Sequence, residues 1–142
     1  MTSIGQVGEQ FVAQWLLSGG WQILQQRWRS PWGEIDLIAQ HYNASMVAFV
    51  EVKTRKTCNW DGGGVLAITG QKKAKIRQTA AYFLGKYTQF AELPCRFDVA
   101  LVHYKPCQNN ELELDTLTIK IGKSIQWQGY QLTLLDYIEA AF

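Results

Sequence analysis

GEIDLIAQHYNASMVAFVEVK, from Gly33 to Lys53, decides the fold. Residues 33–40 and 45–53 are rich in β-branched, aromatic and other apolar side chains and are joined by the short polar run His41-Tyr42-Asn43-Ala44, so they read as two strands of a hairpin. Yet both strands carry charge, at Glu34, Asp36, Glu51 and Lys53. Charges within an otherwise buried sheet are disfavoured unless they are paired or bound to a cation.

Alternation along a strand sets Glu34, Asp36, Ile38 and Gln40 on one side, and Val47, Phe49, Glu51 and Lys53 on one side of its partner. With Asn43-Ala44 as a two-residue turn, Asp36 lies across from Glu51 and Glu34 across from Lys53. Opposed carboxylates repel, and in a half-buried site one takes up a proton unless a cation holds both ionised. A lysine supplies part of that charge. A hard divalent ion such as Mg²⁺ can supply the rest through one or two carboxylates, with water and phosphate oxygens completing its shell. That is the outline of a phosphodiester-cleaving site, in which metal and ammonium act on the phosphate and on a bound water. The same residues equally describe cross-strand ion pairs on an open face.

Outward from the hairpin, Ser3 and Gln6 form a capping box ahead of Ile4, Val7, Phe11, Val12, Trp15 and Leu16, an apolar stripe at helical period. This first helix ends near Ser18-Gly19-Gly20, with Glu9 at the border of its stripe. WQILQQRWR, Trp21 to Arg29, reads as a strand. Thr54 to Gly70 has the composition of a loop, and Ile76, Ala80, Phe83 and Leu84 mark a second helix that turns its lysines to solvent. RFDVALVHY, Arg96 to Tyr104, is a strand, residues 111–131 read as two more, and Leu134, Ile138, Ala141 and Phe142 suggest a short terminal helix. The order predicts an α/β domain with a mixed sheet flanked by helices.

A chain of 142 residues, 47% hydrophobic and 18% charged, suits a single globular domain. Its apolar runs are shorter than a membrane span, so no membrane partner is expected, and the first residues lack a basic stretch followed by an apolar one, so a cytoplasmic location is the default. Cys58, Cys95 and Cys107 with His41 and His103 lack zinc spacing and read as reduced thiols. The net charge of +2 says little, but its distribution is uneven. Lys53 to Arg77 holds seven basic residues against the single acid Asp61, whereas from Glu92 onward seven acids face four basic residues.

GEIDLIA, then FVEVKTR, then a basic helix and RFDV, preceded by a helical GxxGE, resembles the YraN-type family. That family in turn looks like the restriction-endonuclease-like PD-(D/E)xK nucleases, and especially like Holliday junction resolvases. The resemblance runs from about Ile4 to Val102, with a further match in the terminal DYIEAAF. It implies an αβββαβ core, Asp36 as the motif's acid, and Glu51 with Lys53 as its ExK. It also implies Glu9 and the Val52 carbonyl as further ligands of Mg²⁺ or Mn²⁺, and a homodimer is compatible with it because a four-way junction offers two equivalent strands. Ile35 stands where the name-giving proline would be, and residues 105–130 look longer than the family pattern.

Beside such a site, Lys72, Lys73, Lys75 and Arg77, with Arg55 and Lys56 and more distantly Arg27 and Arg29, are candidates for DNA phosphate contacts, against a simple solvated face for each taken singly. Gln71 and Lys72 lie about one turn before Ile76 and so could point to the site. Trp28, Trp32 and Trp60 could stack on unpaired bases, with core packing favoured for Trp28 and Trp60 kept as the nucleic-acid candidate. Arg96 with Asp98 reads as a structural ion pair, and His103 as structural. The expectation is a metal-dependent hydrolase of DNA phosphodiesters in which Lys53 positions the attacking water. Its rival is a DNA-binding or partner-binding protein that keeps the fold without turnover.

Overall fold

A computed structural model describes residues 3–56, 69–108 and 118–142. The elements follow in the order α1 (Ile4–Ser18), β1 (Trp21–Ser30), β2 (Gly33–His41), β3 (Met46–Arg55), α2 (Gly70–Lys86), a 3₁₀ turn (Thr88–Phe90), β4 (Cys95–Pro106), β5 (Ser124–Trp127) and β6 (Tyr130–Ile138). The strands form one sheet in the order β1-β2-β3-β4-β6-β5, with β3 and β4 parallel and the other neighbours antiparallel. This is a mixed α/β fold whose first elements follow the order αβββαβ.

The two helices cover opposite faces. Helix α1 starts at the expected capping box, where Ser3 Oγ accepts from the Gln6 N–H and Gln6 Oε1 accepts from the Ser3 N–H. Its apolar stripe, Val7, Phe11, Val12 and Leu16, packs with Leu37, Ala39, Ala48, Val50, Ala100, Val102, Leu132 and Leu134. On the other face Ile76, Ala80 and Phe83 of α2 pack on Ile35, Ile38, Val47 and Phe49. Gly8 lets α1 settle onto β3, because a side chain there would collide with the Thr54 hydroxyl.

The hairpin register agrees with the sequence reading: Leu37 pairs Val50 and Ile38 pairs Phe49, which is the register that puts residue 36 level with residue 51. The connection is longer than the expected two-residue turn. His41 and Met46 are the last pair, and Tyr42 to Ser45 close the loop with the Ser45 N–H donating to the His41 carbonyl at 3.1 Å.

The C-terminal segment corrects the sequence reading. The residues read as a terminal helix lie instead on strand β6 and just beyond it. Leu132 and Leu134 are buried on the α1 face, while Leu135, Ile138, Ala141 and Phe142 pack with Val99 and Leu101. Apolar residues on both faces of a paired strand can mimic a helical spacing, and pairing with β4 from Val99↔Ile138 to Pro106↔Tyr130 decides the outcome. At the far edge Trp127 pairs Tyr130 across a two-residue turn, Gln128 and Gly129, both at positive φ (57° and 81°).

Asp98 anchors this end of the chain. It is fully buried, Arg96 Nε donates to both its oxygens (3.0 and 3.1 Å), the Tyr137 hydroxyl donates at 2.6 Å and the Ala140 N–H at 3.0 Å. Burial and the Asp98 charge push the Tyr137 phenol well above its usual range. The ion pair expected for Arg96 and Asp98 is therefore structural. His103 is tied down too, its Nε2 lying 3.0 Å from the Lys56 carbonyl oxygen.

Candidate metal and phosphate site

Strand β2 loses its alternation at Asp36. Ile35 packs under α2 and Leu37 under α1, although residues two apart on a regular strand share a face. Opposite, in β1, Arg27 adopts a left-handed conformation (φ 50°) and the β1–β2 pairing runs from Gln26↔Leu37 directly to Trp28↔Ile35. On its other side, β2 is paired with β3 only up to Leu37↔Val50. Where the two strands part, the Asp36 carboxylate accepts from the Val52 N–H at 2.8 Å. A side chain thereby replaces a ladder carbonyl and is held next to β3.

Glu51 extends from β3 into the same region. Its Oε1 takes two ammonium groups, Lys53 at 3.4 Å and Lys72 of α2 at 3.1 Å, and its side chain is 16% exposed. Burial raises the Asp36 carboxyl from its ordinary 3.8 to about 7, and the Glu51 charge is the next cause, outweighing the Val52 hydrogen bond that lowers it. Burial, with Lys72 nearby, holds the Lys53 ammonium below its usual range.

Asp36, Glu51 and Lys53 are thus gathered, though not by the regular alternation that the sequence reading assumed. Lys72, a candidate phosphate contact whose spacing before Ile76 also let it point to the site, lies directly on Glu51. Glu34 does not face Lys53. It pairs with Arg29 across β1–β2, Arg29 Nε to Glu34 Oε2 at 3.2 Å. Glu9, on α1, is buried and approaches from the opposite face, yet its carboxylate is clasped by Arg27, Nε to Oε1 at 2.7 Å. Arg27 is therefore the partner of a buried acid. The left-handed conformation of Arg27 gave no signal in the sequence.

Among the described residues no group of three or more His, Cys, Asp or Glu side chains could hold an ion by itself. The donors that do come together, the carboxylates of Asp36 and Glu51, fit a hard divalent cation such as Mg²⁺ or Mn²⁺, which needs only one or two of them. Mutual repulsion at Asp36 is what such a cation relieves. Of the remaining basic candidates, Arg55, Lys56, Lys75 and Arg77 are exposed and Lys73 is half-buried. Arg77 lies over the Phe142 ring at 5.9 Å. Trp28 is packed against Tyr82 and Phe83, as expected for a core residue, while Trp32 is 43% exposed. Trp60 and Cys58 lie outside the described residues.

Residues 8–102 match the family model described as Uncharacterised protein family UPF0102. The chain belongs to the UPF0102 family. Among the family's members it is 48% identical to UPF0102 protein sll0189 of Synechocystis sp., over 100% of this chain and 99% of that one. It is 50% identical to a UPF0102 protein of Trichormus variabilis, over 99% of this chain and 94% of that one. The UPF0102 span holds Glu9, Asp36, Glu51, Lys53 and Lys72, and stops before β5 and β6. The similarity to these relatives nevertheless continues to the C-terminus, so residues 105–130 are not foreign to them. Among the described residues no helix is long and apolar enough to cross a membrane.

Proposed function

We propose that this UPF0102 protein is a Mg²⁺- or Mn²⁺-dependent nuclease that hydrolyses DNA phosphodiester bonds, with branched or damaged duplexes as its substrates. The observation that carries this reading is the meeting of Asp36, Glu51, Lys53 and Lys72 where β2 parts from β3. Asp36 and Glu51 would hold the cation, which when bound supplies charge against the phosphate and a water of lowered pKa. Asp36 is fixed by the Val52 N–H and so presents its carboxylate in one orientation. Lys53, 14% exposed, is held at the site by Glu51, and a buried ammonium of lowered pKa is suited to orient the attacking water and to receive or give a proton there. Lys72, 45% exposed, can leave Glu51 for a phosphate oxygen when the cation takes its place. A symmetric pair of copies would offer one such site to each equivalent strand of a four-way junction.

One observation favours the rival, a protein that binds DNA without cutting it. Lys53 and Lys72 neutralise Glu51, and Arg27 neutralises Glu9. Linear, flapped and four-way DNA incubated with Mg²⁺ or Mn²⁺, with wild type and Glu51→Ala, separates the two. Metal-dependent cutting that is lost in the variant supports the nuclease. Salt-sensitive binding without cutting by either protein supports the rival.

A further inference from the structure

Next to the carboxylate site is a cleft of about 140 Å³ lined chiefly by Trp32, Glu34, Lys72, Lys75, Ile76 and Thr79. The β1–β2 turn forms one wall and the first turns of α2 the other. Two features mark it as a built site. The turn is fastened to the helix, since Ser30 Oγ lies 2.9 Å from Thr79 Oγ1 and also accepts from the N–H groups of Trp32 and Gly33 (3.1 and 3.2 Å). Trp32 is also backed edge-on by Tyr82, with ring centroids 5.5 Å apart, so a large exposed indole is held in place.

The chemistry of the walls selects the occupant. Thr79 already spends its hydroxyl proton on the Lys75 carbonyl at 2.8 Å, and Glu34 is paired with Arg29, so the walls offer mainly Ile76 and the indole to a guest. Lys72 and Lys75 stand at the rim, and Lys72 also touches Glu51, which joins the cleft to the proposed cutting site. Trp32 also borders a shallower groove shared with Arg29 and Pro31 and so forms the ridge between two depressions. A largely apolar cleft with an aromatic side chain in its lining and ammonium groups beside it fits a nucleobase and its flanking phosphates. A base within a continuous duplex is stacked on both sides and cannot enter such a cleft without being extruded.

We infer that this cleft takes one unpaired nucleobase against Trp32, with the adjoining phosphates on Lys72 and Lys75, so that the protein engages DNA at single-stranded positions next to the bond it acts on. The inference deepens the nuclease reading and rests on it for the role of the neighbouring carboxylates. Its test is independent of turnover. Fluorescence anisotropy of the full chain in EDTA, with a labelled oligothymidylate and a labelled blunt hairpin duplex, is compared for wild type, Trp32→Phe and Trp32→Ala. Stacking by one base predicts that Trp32→Ala weakens binding to the single strand about tenfold. The same change should alter duplex binding less than twofold, while Trp32→Phe, which keeps an aromatic wall, stays within about threefold of wild type. Equal loss on both DNAs, or no loss on the single strand, overturns the inference. So does a Phe variant as weak as the Ala variant while its thermal midpoint matches wild type. A Trp32-dependent preference for single strands with no cutting under any metal sinks the nuclease reading alone, and cutting without that preference sinks the cleft alone.

Discussion

Asp36→Asn removes one ionisable proton from the site while leaving a side-chain carbonyl able to accept the Val52 N–H. The wild-type carboxyl sits at about 7 in the folded chain against an ordinary 3.8. Between those values the folded protein keeps a proton that the unfolded chain releases, so the stability of the wild type falls as pH rises through that window, and the loss is complete above about 7. At about 1.36 kcal/mol per pH unit, the ionised carboxylate costs the fold up to about 4 kcal/mol. The Asn variant escapes that cost. In EDTA the two proteins should therefore match at about pH 4 and diverge towards about pH 8, where the variant melts roughly 10 °C higher. Thermal or urea unfolding followed by circular dichroism at a series of pH values measures the difference, and titrating groups remote from Asp36 cancel because both proteins contain them. Mn²⁺ at a hundred times its dissociation constant should return about 2.7 kcal/mol to the wild type and nothing to the variant. Two stability curves running parallel from about pH 4 to about pH 8 would refute the idea that Asp36 is held by burial beside Glu51.

Arg27→Ala strands the buried Glu9 carboxylate and should destabilise the protein by about 2 kcal/mol in urea unfolding, less than a fully buried pair because the Arg27 side chain is 37% exposed. Arg27→Lys should recover only part of this, since the guanidinium contacts both Glu9 oxygens. Tyr137→Phe removes a hydroxyl donor to a fully buried carboxylate and should cost about 2 kcal/mol, read as a lower urea midpoint with metal binding unchanged.

The legible parts of the molecule were those that local pattern controls. The capping box, the α1 stripe and the β2–β3 register up to Leu37↔Val50 follow from residue types at fixed spacing. What was not legible depends on partners distant in the chain. No local feature distinguishes Arg27 as a left-handed residue. Its guanidinium is held by Glu9, eighteen residues earlier. The spacing before Ile76 let Lys72 point to the site, but its contact with Glu51 depends on how α2 docks on the sheet. The apolar spacing from Leu134 to Phe142 suited a helix equally well, and only the free edge of β4 decided for a strand.

The claim beneath all of this is that Asp36 and Glu51 together form a seat for a divalent cation. Isothermal titration of Mn²⁺ into the metal-free protein at about pH 8, where Asp36 is ionised, tests it most directly. Saturable binding by the wild type that disappears in both Asp36→Asn and Glu51→Gln is the predicted result. No binding by the wild type, or binding that survives in both variants, would contradict it.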